Sequence, residues 1–117
     1  MAEAKDTKTD LAVTKEKSEE IYWRIRPYYS SDFDSETGEY HARVELPGVP
    51  KENVKLRVLP DLFDLRATRE HTQYLLTEYF PYDMDVNSIE AKYEHGLLTI
   101  KGKFKDPLDS AVEISLK

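Results

Sequence analysis

The chain contains no cysteine and only four glycines among its 117 residues, and no apolar run is long enough to cross a bilayer. Without cysteine there are no disulfides, no thiolate metal sites and no cysteine nucleophiles. With so few glycines, no glycine-rich loop is available to cradle a phosphate. The first residues also lack the apolar core of a signal peptide. We therefore expect a cytoplasmic protein with no membrane span.

The charge balance is acidic, with a formal net charge of -6. Binding to nucleic acid regardless of sequence needs positive charge, so we expect no nucleic-acid partner. Apolar residues make up 39% of the chain and charged residues 34%, which is polar for a globular domain but far from a disordered composition. This length favours a single domain.

The residues that usually carry catalysis or bind metals are scattered. The three histidines have no second ligand at metal-binding spacing, and they are His41, His71 and His95. The chain has two acidic pairs in polar segments, Asp32 with Asp34 and Asp83 with Asp85. Neither pair lies in the glycine-centred loop that is typical of a calcium site. Acids at such positions are typical of turns. We therefore predict no catalytic, metal or cofactor-binding site, and no enzyme.

Composition and periodicity divide the chain into three parts. Residues 1–20 are rich in charge and poor in bulky apolar groups, which predicts a flexible arm. Residues 21–104 alternate apolar and polar positions in about seven short segments separated by turn signals, although the acidic stretch Ser30–Thr37 is expected to be a loop. This pattern predicts an all-β fold, an antiparallel immunoglobulin-like β-sandwich. Residues 105–117 are either a C-terminal extension or a final strand.

Two segments of the sandwich region carry a family resemblance. Ile89–Ile100 is predicted to form a strand, a tight turn at His95-Gly96 and a second strand. Its residues Ala91 and Gly96-Leu97-Leu98-Thr99-Ile100 resemble the A-x-x-x-x-G-L-L-T-I signature of the α-crystallin domain of small heat-shock proteins. Upstream, Glu45–Val54 is similar to the L-P-G-x-x-K-E segment of the same family. The resemblance covers about residues 38–104.

This resemblance implies a β-sandwich of the archaeal or bacterial type that holds unfolding client proteins without ATP. It also implies self-association into dimers or larger assemblies. In that family a C-terminal segment docks into a neighbour's groove, and Val112 and Ile114 lie at a comparable position here. The matching groove would be formed by Val54, Leu56, Val58, Leu98 and Ile100. The alternatives are that these groove residues are simply core and that the tail closes the chain's own sheet.

One short connection points to a second family. Only Arg69–Gln73 separates two predicted strands where bacterial and archaeal small heat-shock proteins carry a long loop that exchanges a strand between partners. In this respect the chain is similar to the p23/CS co-chaperone domain, which has the same sandwich without the exchange loop. That resemblance implies an adaptor that binds a folded partner protein. A structural accessory domain, such as a gas-vesicle-associated relative, is a third possibility.

Overall fold

The computed structural model of the protein describes residues 20–117, so the predicted arm lies outside the described residues except for Glu20. This part of the chain contains eight strands and two short 3-10 helices, Lys51–Asn53 and Val86–Ser88. The strands are β1 (Trp23–Ile25), β2 (Tyr29–Asp34), β3 (Glu39–Glu45), β4 (Val54–Leu59), β5 (Leu62–Arg69), β6 (Thr72–Tyr79), β7 (Glu90–Glu94) and β8 (Leu97–Lys103). No helix within residues 20–117 has the length and apolar character needed to span a membrane.

The strands form two four-stranded sheets that pack face to face. The first sheet has the order β1-β6-β5-β4 and the second has the order β2-β3-β8-β7. Every neighbouring pair is antiparallel except β1 and β6, which are parallel. The predicted antiparallel β-sandwich is therefore confirmed.

Alternation along the inner strands builds the core. In β3 the side chains of Tyr40, Ala42 and Val44 are buried, and the intervening residues are exposed. The inward rows of β5, β6 and β8 complete a cluster that also includes aromatic rings from the connecting loops. The remaining buried apolar residues are Leu46, Val49, Phe63, Leu65, Ala67, Tyr74, Leu76, Phe80, Met84, Leu98 and Ile100. Burial of this continuous apolar surface is the main term that stabilises the sandwich.

The prediction of a loop over Ser30–Thr37 is wrong, because most of this segment is strand β2. Six residues of β2 pair with β3, from Tyr29 opposite Val44 to Asp34 opposite Glu39. The segment appears polar in sequence because β2 is the outer strand of its sheet and most of its side chains are exposed. Outer strands commonly carry charged residues that discourage pairing with other chains.

The connection between β5 and β6 is a two-residue turn, Glu70-His71, so the chain has no exchange loop at this position. The turn also anchors β1. The carbonyl oxygen of His71 accepts hydrogen bonds from the backbone N–H groups of Tyr22 (2.8 Å) and Trp23 (3.1 Å). The His71 ring stacks on Tyr22, with 4.3 Å between centroids, and its Nδ1 lies 2.8 Å from the Glu20 carbonyl oxygen. These contacts hold β1 beside the first residues of β6.

The C-terminal segment forms no strand after β8. Residues 105–117 are exposed throughout. A turn at the start of the segment is closed by backbone hydrogen bonds from Asp109 to Asp106 and from Ala111 to Leu108, each 3.0 Å long. Within this segment the structure has no strand that closes the chain's own sheet.

Candidate protein-binding groove

The outer strands β4 and β7 lie on the same side of the sandwich. Each is the last strand of its sheet, and β1 and β2 are the outer strands at the opposite ends. Only residues 26–28 separate β1 from β2, so those two strands must lie on one side of the molecule. Strands β4 and β7 therefore border the other side, where the interior of the sandwich approaches the surface.

Strand β4 supplies one apolar wall on this side. Val54, Leu56 and Val58 are half-buried and pack against the core. They face inward because they lie in register with Ala67, Leu65 and Phe63 of β5, which are fully buried. Within the described residues no strand pairs with the other edge of β4, so backbone N–H and C=O groups are available there.

The opposite wall comes from β7 and the residue before it. Ile89 and Tyr93 are half-buried against the core, and Ala91 between them is exposed. These three residues repeat at every second position, as Val54, Leu56 and Val58 do on β4. We call the cleft between the two sets of three residues the β4–β7 groove. The small side chain of Ala91 leaves room at its centre.

Tyr93 joins β7 to the loop that leads into β4. Its hydroxyl lies 2.7 Å from the Val49 carbonyl oxygen and 3.0 Å from the Leu46 carbonyl oxygen, and donates its single proton to this pair of acceptors. Burial raises the pKa of Tyr93, and the nearby Tyr74 adds to the effect. The hydroxyl therefore keeps its proton and its donor role at neutral pH. This contact holds β7 beside the loop that leads into β4.

The structure places the five predicted groove residues in two different environments. Val54, Leu56 and Val58 line the groove, whereas Leu98 and Ile100 are in the core with exposures of 3% and 0%. The last two are inaccessible because β8 is an inner strand between β3 and β7. The residues that sequence reasoning missed are Ile89, Ala91 and Tyr93. Their alternation is visible in the sequence, but which strand of the hairpin lies outermost depends on the distant pairing of β3 with β8.

The tail carries a matching row of apolar side chains. Val112, Ile114 and Leu116 are 78%, 73% and 95% exposed. In an extended segment they point to one side, and Glu113 and Ser115 point to the other. The structure does not bring this row to the groove of the same chain, since every residue of the tail is exposed.

Two of the acidic residues considered above stabilise local turns. Asp85 accepts a hydrogen bond from the Asn87 backbone N–H (3.1 Å) at the start of a 3-10 helix, and Asp34 accepts one from the Glu36 backbone N–H (2.9 Å) in a turn. Among residues 20–117 there is no cluster of three or more histidine, aspartate or glutamate side chains that could hold a metal ion. The Nε2 atom of His41 lies 3.6 Å from Oε1 of Glu39 on the outer face of the sheet.

Comparison in sequence links the chain to the small heat-shock proteins. No family model matches it. It is similar to small heat shock protein C4 of Rickettsia felis, with 25% identity over 87 residues. The match covers 61% of this chain and 53% of the relative, so the chain spans about half the length of the curated relative that it matches.

Solved structures share the fold. Heat shock protein 16.0 of Schizosaccharomyces pombe superposes with a TM-score of 0.65 at 20% identity, covering 80% of this chain and 77% of that one. HSP18.5 of E. histolytica superposes with a TM-score of 0.60 at 17% identity, covering 81% of this chain and 100% of that one. A small heat-shock protein of Xylella fastidiosa, described as having a distinct high order structure, superposes with a TM-score of 0.58 at 13% identity. The superposition covers 77% of this chain and 96% of that one.

The fold is therefore the α-crystallin β-sandwich. The chain is similar in sequence to one small heat-shock protein and shares its fold with several, and these similarities do not favour the p23/CS adaptor alternative.

Proposed function

We propose that the chain is an ATP-independent holdase that binds unfolding proteins and limits their aggregation. The observation that carries this proposal is the β4–β7 groove, where an outer strand with an unpaired edge lies beside half-buried apolar side chains. Extended segments that unfolding proteins expose can pair with such an edge through their backbone and place alternate side chains in the groove. Binding of this kind requires no chemical step.

The same groove suits the tail of a second copy of the chain. Val112 and Ile114 have the spacing needed to enter it beside two of the three β4 positions. Glu113 would then lie on the outer face, where β4 presents Lys55 and Arg57, so the charges are complementary. Docking of tails between copies is the route by which we expect the chain to self-associate. The tail is exposed in its own chain, which leaves it available to a partner.

Light scattering by a heat-labile client protein, measured without ATP, tests the holdase proposal. Stoichiometric amounts of the chain should slow the rise in scattering. Ala91→Lys should weaken this protection, because Ala91 is exposed at the centre of the groove and the substitution adds bulk and charge there. Ser35→Lys adds the same charge in an exposed turn and should protect like the original chain.

The possible results separate the activity from its location. If the chain never slows aggregation, the holdase proposal fails. If the chain protects and Ala91→Lys protects equally well, the activity stands, but the groove is not where clients bind.

A further inference from the structure

The residues of β4 that point away from the groove are positively charged. Lys55 and Arg57 alternate with the three residues that line the groove, so their side chains lie on the outer face of the first sheet, and both are exposed. On β5, Arg66 lies opposite Lys55, and Asp64 lies opposite Arg57. These four positions beside the free edge of β4 therefore carry three cations and one carboxylate.

The single carboxylate is already engaged by its neighbours. The Oδ2 atom of Asp64 lies 2.7 Å from Nη2 of Arg57 and 3.6 Å from Nε of Arg66, and its Oδ1 accepts a 2.7 Å hydrogen bond from the Thr77 hydroxyl. Among residues 20–117, Lys55 has no ion-pair partner. Positive charge is thus in excess at this edge, and Lys55 is the cation most available to a docked segment.

The opposite wall of the groove has no such excess. The residues of β7 that point away from the groove are Glu90, Lys92 and Glu94. The Nζ atom of Lys92 lies 3.7 Å from Oε1 of Glu94, and Nζ of Lys101 on β8 lies 3.8 Å from Oε1 of Glu90. Each charge on β7 therefore has an opposite charge nearby. Because the two free edges differ in charge, the charge that a docked segment prefers reports the edge with which it pairs.

A segment that pairs with the free edge of β4 continues the first sheet by one strand. Every second side chain of the segment then enters the groove, and the side chains between them lie on the outer face beside Lys55 and Arg57. Side chains opposite each other on neighbouring strands are close enough for opposite charges to attract and like charges to repel. The tail, which we propose as one occupant, has an acid between two apolar residues in Val112-Glu113-Ile114.

We propose that the β4–β7 groove selects client segments in which apolar residues alternate with acidic ones, and that Lys55 and Arg57 provide the selection. The proposal rests on the holdase function proposed above and names the class of segment that it binds. The formal net charge of the whole chain is -6, so long-range attraction favours positively charged segments. A preference for acidic segments has the opposite sign and requires a local positive site.

Three short fluorescent peptides test the proposal by fluorescence anisotropy. They share valine and isoleucine at alternate positions and carry glutamate, serine or lysine at the positions between. The protein is the full-length chain with Val112→Ser and Ile114→Ser, so that tails do not compete for the groove. At low salt the glutamate peptide should bind about tenfold more tightly than the lysine peptide, and the serine peptide should lie between them. High salt should reduce this contrast, because both cations are exposed.

A matched pair of charge reversals locates the selection. Lys55→Glu should reduce the contrast between the glutamate and lysine peptides to within about twofold, because one contact then favours lysine while Arg57 still favours glutamate. Lys92→Glu makes the same change of charge at an exposed position on β7 and should leave the contrast unchanged. The serine peptide should bind both variants alike, and circular dichroism melting of each variant verifies the fold.

The outcomes separate this proposal from the holdase function on which it rests. If the three peptides bind equally, or the lysine peptide binds most tightly, acidic selection is overturned although the groove still binds extended segments. If Lys92→Glu removes the contrast and Lys55→Glu does not, the segment pairs with β7, and the proposal is overturned as well. If no peptide binds while the chain still slows client aggregation, the selection fails and the holdase activity lies at another site.

Discussion

Docking of the tail can be tested by replacing Val112 and Ile114 together with serine. Both side chains are mostly exposed in the single chain, so the substitution removes no contact that stabilises the fold. We expect an unchanged melting temperature and smaller assemblies. The double change isolates the apolar contribution because the length of the tail and the charge of Glu113 stay the same.

The expected loss of affinity follows from the apolar area that docking would bury. Full burial of one valine or isoleucine side chain contributes about 1.5–3 kcal/mol, so two contribute about 3–6 kcal/mol. The groove is open on one side, and residual exposure there would bring the loss towards the lower end of this range. Ordering of the tail backbone costs the variant as much as the original chain, so it does not reduce the difference. A loss of about 3–4 kcal/mol corresponds to a dissociation constant about 150- to 900-fold weaker.

Sedimentation velocity over a range of concentrations measures this loss. Leu108→Ser is a matched control, because Leu108 is 73% exposed in the turn at the start of the tail and lies outside the proposed docking segment. It should assemble like the original chain. An assembly size that the Val112 and Ile114 changes leave untouched would refute the reasoning. A lowered melting temperature with unchanged assembly would show instead that the tail packs on its own domain.

Two further changes test the surroundings of the groove. Tyr93→Phe removes the hydroxyl that binds the loop before β4 and should destabilise the fold by about 1–2 kcal/mol in urea unfolding. Tyr79→Phe is the control, because Tyr79 is exposed, and it should leave the stability unchanged. Equal stabilities of the two variants would contradict the structural role of the Tyr93 hydroxyl. Asp64 accepts hydrogen bonds from Arg57 and the Thr77 hydroxyl, and the bond from Arg57 is the main cause of its lowered pKa. Because the pKa is lower in the folded state, the stabilisation is complete above the unfolded pKa, and it is lost as the pH falls through the folded pKa. Asp64→Asn should therefore cost about 1 kcal/mol at neutral pH and less in acid, and a cost that does not change with pH would refute this account.

The strands with regular alternation could be predicted from the sequence because one face of each is buried in the core and the other is exposed to water. In β3 every second residue is apolar and buried, and in β5 the same holds for Phe63, Leu65 and Ala67. The tight turn at His95-Gly96 was also predictable, and both residues have positive φ, 52° and 78°. Such a turn matches the twist of the strands that it connects. In these segments local preference and tertiary environment agree.

The features that could not be predicted depend on which strands lie outermost. Strand β2 lacks a strong apolar row because it is exposed along much of its length, so its composition is typical of a loop. The placement of Leu98 and Ile100 depends on β3, more than 50 residues earlier in the chain, pairing with β8 rather than β7. No local pattern shows which of the two strands of a hairpin becomes the inner strand of the sheet. Of the five residues predicted for the groove, the three on β4 lie beside the cleft and the two on β8 lie in the core.

Each copy has one groove and one tail, and its own tail does not occupy its groove. Tail docking could therefore join each copy to two neighbours, one that supplies a tail and one that receives a tail, and assemblies could grow beyond a dimer. A tail and an unfolding client would compete for the same groove, since both present alternate apolar side chains on an extended backbone. The free concentration of tails therefore sets how much groove is open to clients, and weaker tail docking exposes more of it by mass action.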